Sequence, residues 1–239
     1  YYNGRQEAID SESGNRKYGY AIYSRNTDPR QNKFIDNIFY HQWGAFGTHF
    51  YTQAGMVNNM YVEGNVFIDN AFMIGGRGIF ANNPVFIDNY LYGNYRDSIR
   101  TSLTNVFFFT WGLYGGTING TVIGNYFLNG ASTIRIPRTG LVMHGNTFNG
   151  YLDDGTGYTS TSLDFPNNTY AIYNGVTGLW PPDVNLNKVI VRPNRYEPGR
   201  AHIIIFNYAN ASSVSVNISR VDRYTLGTKI GTGSLLNVG

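Results

Sequence analysis

An asparagine followed by a short run of bulky apolar residues keeps recurring along this chain. The phrases are GNRKYGY from Gly14, DNIFYHQ from Asp36, GNVFIDN from Gly64, DNYLYGN from Asp88, GNYFLNG from Gly124, GNTFNG from Gly145 and NNTYAIY from Asn167. Their lead asparagines, Asn15, Asn37, Asn65, Asn89, Asn125, Asn146 and Asn168, lie 22, 28, 24, 36, 21 and 22 residues apart. Periods of this size mark stacked structural units, none of which buries its apolar face alone.

Two solenoid types compete at such periods, leucine-rich repeats and parallel β-helices. Leucine is sparse and no apolar set recurs at helical spacing, which argues against the first. Short alternating runs such as Val66-Phe67-Ile68, Tyr90-Leu91-Tyr92 and Tyr126-Phe127-Leu128 stand between Gly, Asn and Asp, as short strands between turns do. A β-helix also accounts for the asparagine. It tolerates the left-handed backbone of a sharp corner, and stacked copies bond one another along the axis. A sandwich or antiparallel barrel with Asn-Gly hairpins is the competing reading, but its turns would fall every 8–12 residues without the longer period. The expected fold is all-β, a solenoid of about seven stacked turns. The 36-residue interval holds TNVFFFTWGLYGG (104–116), expected as a protruding loop or an irregular coil.

Composition narrows the function classes. With 239 residues there is ample chain for a sizeable core, and 29 Gly, 20 Tyr and 15 Phe against only 14% charged residues describe a turn-rich, aromatic-rich globular protein. A net charge of +3 is too small to argue for nucleic acid. No cysteine is present, so neither disulfides nor thiolate chemistry is available. The most apolar run, Val106 to Trp111, is far too short for a membrane span. The opening at Tyr1, without Met or leader, reads as a processed or excised product.

The phrases YGYAIYSRN (18–26), IDNIFYHQWG (35–44) and YVEGNVFIDN (61–70) resemble the coils of secreted bacterial proteins with a right-handed parallel β-helix of the pectin-lyase type. NKVIVRPNRYEPGRAHIIIFNYAN (187–210) resembles the segment that follows the helix in several of them. The resemblance implies a secreted or cell-surface location. It fixes no chemistry, because the family mixes lyases, hydrolases, epimerases, phage tailspikes and non-catalytic surface proteins.

The periodic pattern fades after Asn168, and the consecutive prolines Pro181 and Pro182 mark a linker. Residues 1–180 are therefore expected to be the β-helix. Residues 183–239 are expected to be a small antiparallel β-module with strands at Lys188–Arg192, Ala201–Asn207 and Ser213–Ser219, capping the last coil.

If the lead asparagines share one corner, residues ten to thirteen positions on should share an outer strip. Counting forward reaches Arg25, His49, Arg77, Arg100 and Arg135. Such a strip could track an anionic polysaccharide, each guanidinium gripping a carboxylate. Lyase chemistry on a uronate needs a positive group to neutralise the carboxylate and a base to remove the adjacent proton. His49 and Tyr51 in THFYT, with Arg77 one coil on, form the expected catalytic set. Arg25, Arg100, Arg135, Trp43 and Trp111 are the expected substrate contacts. The competing reading places these arginines on ordinary solvated positions after a register slip.

Other chemistries fit less well. Asp36, Asp69 and Asp88 recur as turn residues and not as a hydrolase pair. Asp153, Asp154 and Asp164 match no calcium loop, and His41, His49, His144 and His202 have no zinc spacing, so no metal or cofactor is expected. No nucleophile elbow or phosphate loop occurs. Sequons at Asn119, Asn167, Asn210 and Asn217 matter only where the source glycosylates asparagine. The expected function is an extracellular, polysaccharide-engaging β-helix that cleaves uronate glycans, its partner an anionic polysaccharide. The alternative is a non-catalytic adhesive solenoid that self-associates end to end.

Overall fold

The computed structural model describes residues 22–40, 48–52, 55–68, 70, 72–75, 79–92, 109–113, 116–128, 131–134, 138–149, 152–153, 164–171, 187–207, 209–219 and 221. The chain divides into two compact units, Tyr1–Leu179 and Trp180–Gly239. The first is a parallel β-solenoid. Its first sheet stacks Ile22–Ser24, Thr48–Phe50, Phe72–Ile74, Phe109–Leu113, Ala131–Ile134 and Leu152–Asp153. The second stacks Asn32–Ile35, Met60–Glu63, Val85–Ile87, Thr121–Ile123 and Val142–His144. The third stacks Ile38–Tyr40, Val66–Ile68, Tyr90–Tyr92, Tyr126–Leu128, Thr147–Asn149 and Thr169–Ala171. A short sheet of Val57–Asn58, Ala81–Asn82, Thr117–Ile118 and Arg138–Thr139 completes the wall. Every pairing between these strands is parallel, which excludes the hairpin sandwich.

Strands of three residues suffice because each contributes one inward side chain to a continuous column. On the third sheet the middle residue points in, so Phe39, Phe67, Leu91, Phe127, Phe148 and Tyr170 follow one another in register. Rings in adjacent coils lie nearly parallel, with centroids 4.7 Å apart for Phe39 and Phe67 and 4.8 Å for Phe127 and Phe148. The second sheet answers with Phe34, Val62, Phe86, Val122 and Met143, and the first with Phe50, Phe72 and Ile74. Each fully buried side chain of this kind contributes about 1.5–3 kcal/mol, and stacked rings add roughly 0.5–1.5 kcal/mol per pair.

The corner between the second and third sheets is built from the lead asparagines. Six of the seven form one ladder, while Asn15 lies outside the described residues. Asn65 shows the pattern. Its Oδ1 accepts from both the backbone N–H and the Nδ2 of Asn37 at 2.9 Å. Its own Nδ2 donates onward to Asn89 Oδ1 at 3.0 Å, and it lies 2.9 Å from the Phe34 carbonyl and 3.1 Å from that of Glu63. Asn89, Asn125 and Asn146 repeat the arrangement, and the ladder is fully buried in the middle coils. At its last described rung, Asn168 Nδ2 donates to the Met143 and Phe165 carbonyls. Phe165 packs on the core there, and Arg138 bridges to Asp164 at 2.9 Å. Burial pushes the Tyr170 phenol up to about 12, so it stays protonated and donates to the Phe165 carbonyl.

The residue before five of the six ladder asparagines, and not the asparagine itself as the sequence suggested, adopts the left-handed backbone: Asp36, Gly64, Asp88, Gly124 and Gly145 have φ between 50° and 68°. Aspartate and glycine alternate over the first four coils, so no two carboxylates occupy neighbouring rungs. A Cβ at Gly124 would collide with Asp88 Oδ1, so the space that glycine leaves is filled by the neighbouring carboxylate. Asp36 and Asp88 are thus turn residues; Asp69 lies outside the described residues.

Two expectations need correction. Phe109–Leu113, within the segment read as a loop or irregular coil, is a strand paired on both sides with one register irregularity between Phe109 and Trp111. The aromatic run supplies strand-forming residues that the sheet accepts at the expense of one bulge. In the second unit, Lys188–Pro193 and Ala201–Phe206 pair antiparallel. Residues 213–219 form no strand, although Val214, Val216 and Ile218 alternate. Asn217 Oδ1 there accepts the Ser219 N–H at 3.0 Å, a local turn that competes with strand pairing.

Replacing Asn89 by Ala strips the acceptor from two buried donors of Asn65, and should lower the unfolding free energy in urea by about 3 kcal/mol or more. Asn37→Ala, at an exposed rung, should lose about 1 kcal/mol. Gly145→Ala should lose about 1–2 kcal/mol from its positive φ alone, and Gly124→Ala more than that because Asp88 must move.

Candidate functional site

On the first sheet Phe50, Phe72 and Ile74 belong to the core, so alternation turns Tyr23, His49 and Met73 outward. The pairing register sets these three side by side and continues the row through Gly112, Thr133 and Asp153. The row begins with an aromatic cluster. The Tyr23 ring meets His49 edge-on at 5.7 Å, Tyr51 lies 5.1 Å from His49, and the two tyrosine rings are 6.4 Å apart. Tyr23 is half exposed, Tyr51 is half-buried, and His49 is only 8% exposed despite facing outward.

Burial pushes the His49 imidazole below its ordinary pKa, opposed more weakly by its bond to the Gly75 carbonyl. The ring is therefore neutral at neutral pH. Its Nε2 lies 2.9 Å from the Gly75 oxygen, and a carbonyl only accepts, so Nε2 carries the proton and Nδ1 is the basic nitrogen. A neutral imidazole with two phenol-bearing neighbours is suited to moving a proton, provided a substrate reaches it.

The structure sets the rings of His49 and Tyr51, two members of the expected catalytic set, 5.1 Å apart. Arg77, the third member, lies outside the described residues, as do Arg100, Arg135 and Trp43. Trp111 sits on the first sheet between Phe72 and Ser132, its backbone described and its side chain not. Arg25 is exposed but does not share the His49 position. Tyr23 does, and Arg25 falls two residues further along, level with Tyr51.

The expected strip assumed coils of similar length beyond the ladder. Met73 follows Asn65 by eight residues and Thr133 follows Asn125 by eight, but His49 follows Asn37 by twelve and Gly112 follows Asn89 by twenty-three. The number of residues between the third sheet and the first differs from coil to coil, so a constant count selects different positions on different coils. Tyr23, missed as the neighbour of His49, was reachable by the shorter count, since it follows Asn15 by eight.

A second column of corner residues was also missed. Asn59, Asn83, Asn119 and Gly140 all have positive φ, and each stands six residues before a ladder asparagine. Asn83 Nδ2 donates to Asn59 Oδ1 at 2.8 Å, and Asn82 Nδ2 to Asn58 Oδ1 at 3.1 Å. These amides serve the corner and present no reactive group. Among the described residues no cluster of three or more His, Asp or Glu is placed to hold a metal ion, and no helix is long and apolar enough to cross a membrane.

The depressed His49 pKa has a stability consequence. The unfolded chain takes up a proton on this ring as pH falls below its ordinary value of about 6.5, while the folded chain does not until lower pH. Its contribution is complete above that value and declines on acidification. Thermal midpoints measured from about pH 7.5 down to about pH 5 should fall more steeply for the wild type than for His49→Gln. Compared with protein-family models, with curated proteins and with solved structures, the chain gives no significant match.

Proposed function

We propose that this chain is an extracellular, polysaccharide-engaging β-helix of the right-handed, pectin-lyase-like type, acting on uronate-containing glycans at the outward face of its first sheet. The observation that carries the reading is the cluster of Tyr23, His49 and Tyr51, a neutral imidazole between phenols on a sheet face.

In this reading Tyr23 offers its exposed ring to a pyranose face. His49 Nδ1, which is buried in the free protein and has to be uncovered by the arriving sugar, removes the proton from the carbon beside the uronate carboxylate. The electron pair forms a carbon–carbon double bond as the glycosidic carbon–oxygen bond breaks, and the Tyr51 hydroxyl protonates the departing oxygen. Arg25, level with Tyr51, neutralises the carboxylate. Arg77 is the further candidate for that task, with Arg100, Arg135, Trp43 and Trp111 as contacts along the chain.

One observation favours a second reading, a non-catalytic structural or adhesive solenoid. His49 is almost wholly buried and its Nε2 is committed to the Gly75 carbonyl, as for a histidine that braces adjoining coils.

The test is incubation with pectate, alginate and glycosaminoglycans, followed by the ultraviolet absorbance of unsaturated uronate. On the leading reading one substrate gives a rising signal. His49→Gln and Tyr51→Phe each reduce it by about a hundredfold or more, and Tyr23→Ala chiefly raises KM. Retention of the protein in a polysaccharide gel without absorbance would leave binding and remove cleavage. Neither signal, together with concentration-dependent oligomers in sedimentation, would favour the structural solenoid.

A further inference from the structure

The third sheet carries a different outward surface. With its middle residues turned inward, the flanking residues form two outward rows along the axis. In one row Tyr40, Ile68, Tyr92 and Leu128 are in register on successive coils. Tyr40 is 50% exposed and Tyr92 42%, with Ile68 half-buried between them. Ile38, the other outward residue on the Tyr40 strand, is 61% exposed. Between and beyond them Val66, Tyr90 and Leu128 are buried, Tyr126 and Thr147 half-buried, and Thr169 exposed.

Every described residue that points outward from this sheet, from Ile38 and Tyr40 to Thr147 and Thr169, is uncharged. A sheet face whose described residues carry no ionic group is poorly suited to an anionic glycan or a charged peptide. Nor is it suited to a second copy of the chain. Among the described residues its exposed side chains, Ile38, Tyr40, Tyr92 and Thr169, fall well short of the roughly 800 Å² per partner that a stable protein interface needs.

The spacing of the two tyrosines selects among neutral ligands. Parallel strands lie about 4.8 Å apart, so Tyr40 and Tyr92, two steps apart, project from points about 10 Å apart along the axis. That is close to the length of one disaccharide repeat in an extended β-1,4-linked pyranose chain, in which every second ring shows the same face. The ring of each tyrosine would meet the C–H face of alternate sugars and its hydroxyl would bond a sugar oxygen, with Ile68 as the apolar floor between.

We propose that Tyr40 and Tyr92 form a stacking subsite for a neutral, extended β-1,4-linked polysaccharide running along the solenoid axis. The subsite does not depend on the first-sheet reading. Its ligand is uncharged and its face is another one, so either proposal can fail while the other stands.

The full chain would be run through native gels containing hydroxyethylcellulose or soluble starch and titrated with cellohexaose by calorimetry. The wild type is expected to be retarded by the β-linked glucan and not by the coiled α-linked chain. Tyr40→Ala and Tyr92→Ala should each weaken cellohexaose binding about tenfold, and Tyr92→Phe should stay within about threefold because the ring remains. Unchanged thermal midpoints establish that the variants are folded. The proposal is overturned if the wild type binds no cellohexaose, or if the double alanine variant binds as well as the wild type. It is also overturned if sedimentation reveals a wild-type dimer that the double variant loses, which would make the face a protein interface.

Discussion

A buried amide carries two donors and two acceptor lone pairs, and leaving them unpaired in a core costs several kcal/mol. The column from Asn65 to Asn146 satisfies that demand by pairing each side chain with the next coil along and with carbonyls beside it. The rest of the solenoid depends on this constraint. The bonds run along the axis at one strand spacing, so they hold the second and third sheets in register at the same corner in every coil. A one-residue slip would strand two donors and an acceptor at once, and would turn the inward phenylalanines to the solvent.

The constant spacing at the corner contrasts with the connection leading into the first sheet, whose length changes from coil to coil. Only a few residues separate the ladder from the inward residues of the third sheet, and that stretch is nearly invariant. From there to the first sheet, coil length varies widely, and the outward row there changes character from Tyr23 and His49 to Met73 and Gly112. The stacked core stays in register while the number of residues between sheets changes, most of all between the third sheet and the first. The candidate chemistry of Tyr23, His49 and Tyr51 lies on the face that this variable turn adjoins.

The third sheet, bound tightly to the ladder, presents a surface of the opposite kind, aromatic and uncharged. Tyr90, buried, and Tyr126, half-buried, stack at 5.6 Å on this sheet. Tyr40 and Tyr92 stand on the same sheet with their rings half in solvent, and the difference is one of exposure and not of residue type. Two walls of one solenoid thus present different surfaces, an imidazole beside two phenols on one and half-exposed tyrosines on the other.

The sequence by itself determined the parallel β-solenoid, its asparagine corner and the inward columns, because these depend on local features repeated at every coil: a left-handed residue, an amide, and an apolar residue two places on. Phe39, Phe67, Phe127 and Phe148 could be aligned by hand from their asparagines. Only the tertiary structure decided which residues meet across the first sheet, that His49 neighbours Tyr23 and not Arg25, that Phe109–Leu113 joins the wall, and that residues 213–219 do not pair. Those outcomes depend on how turns of unequal length take up slack and on which partner a strand finds. Neither is encoded in the local pattern, since hydrogen-bond register is a relation between distant segments.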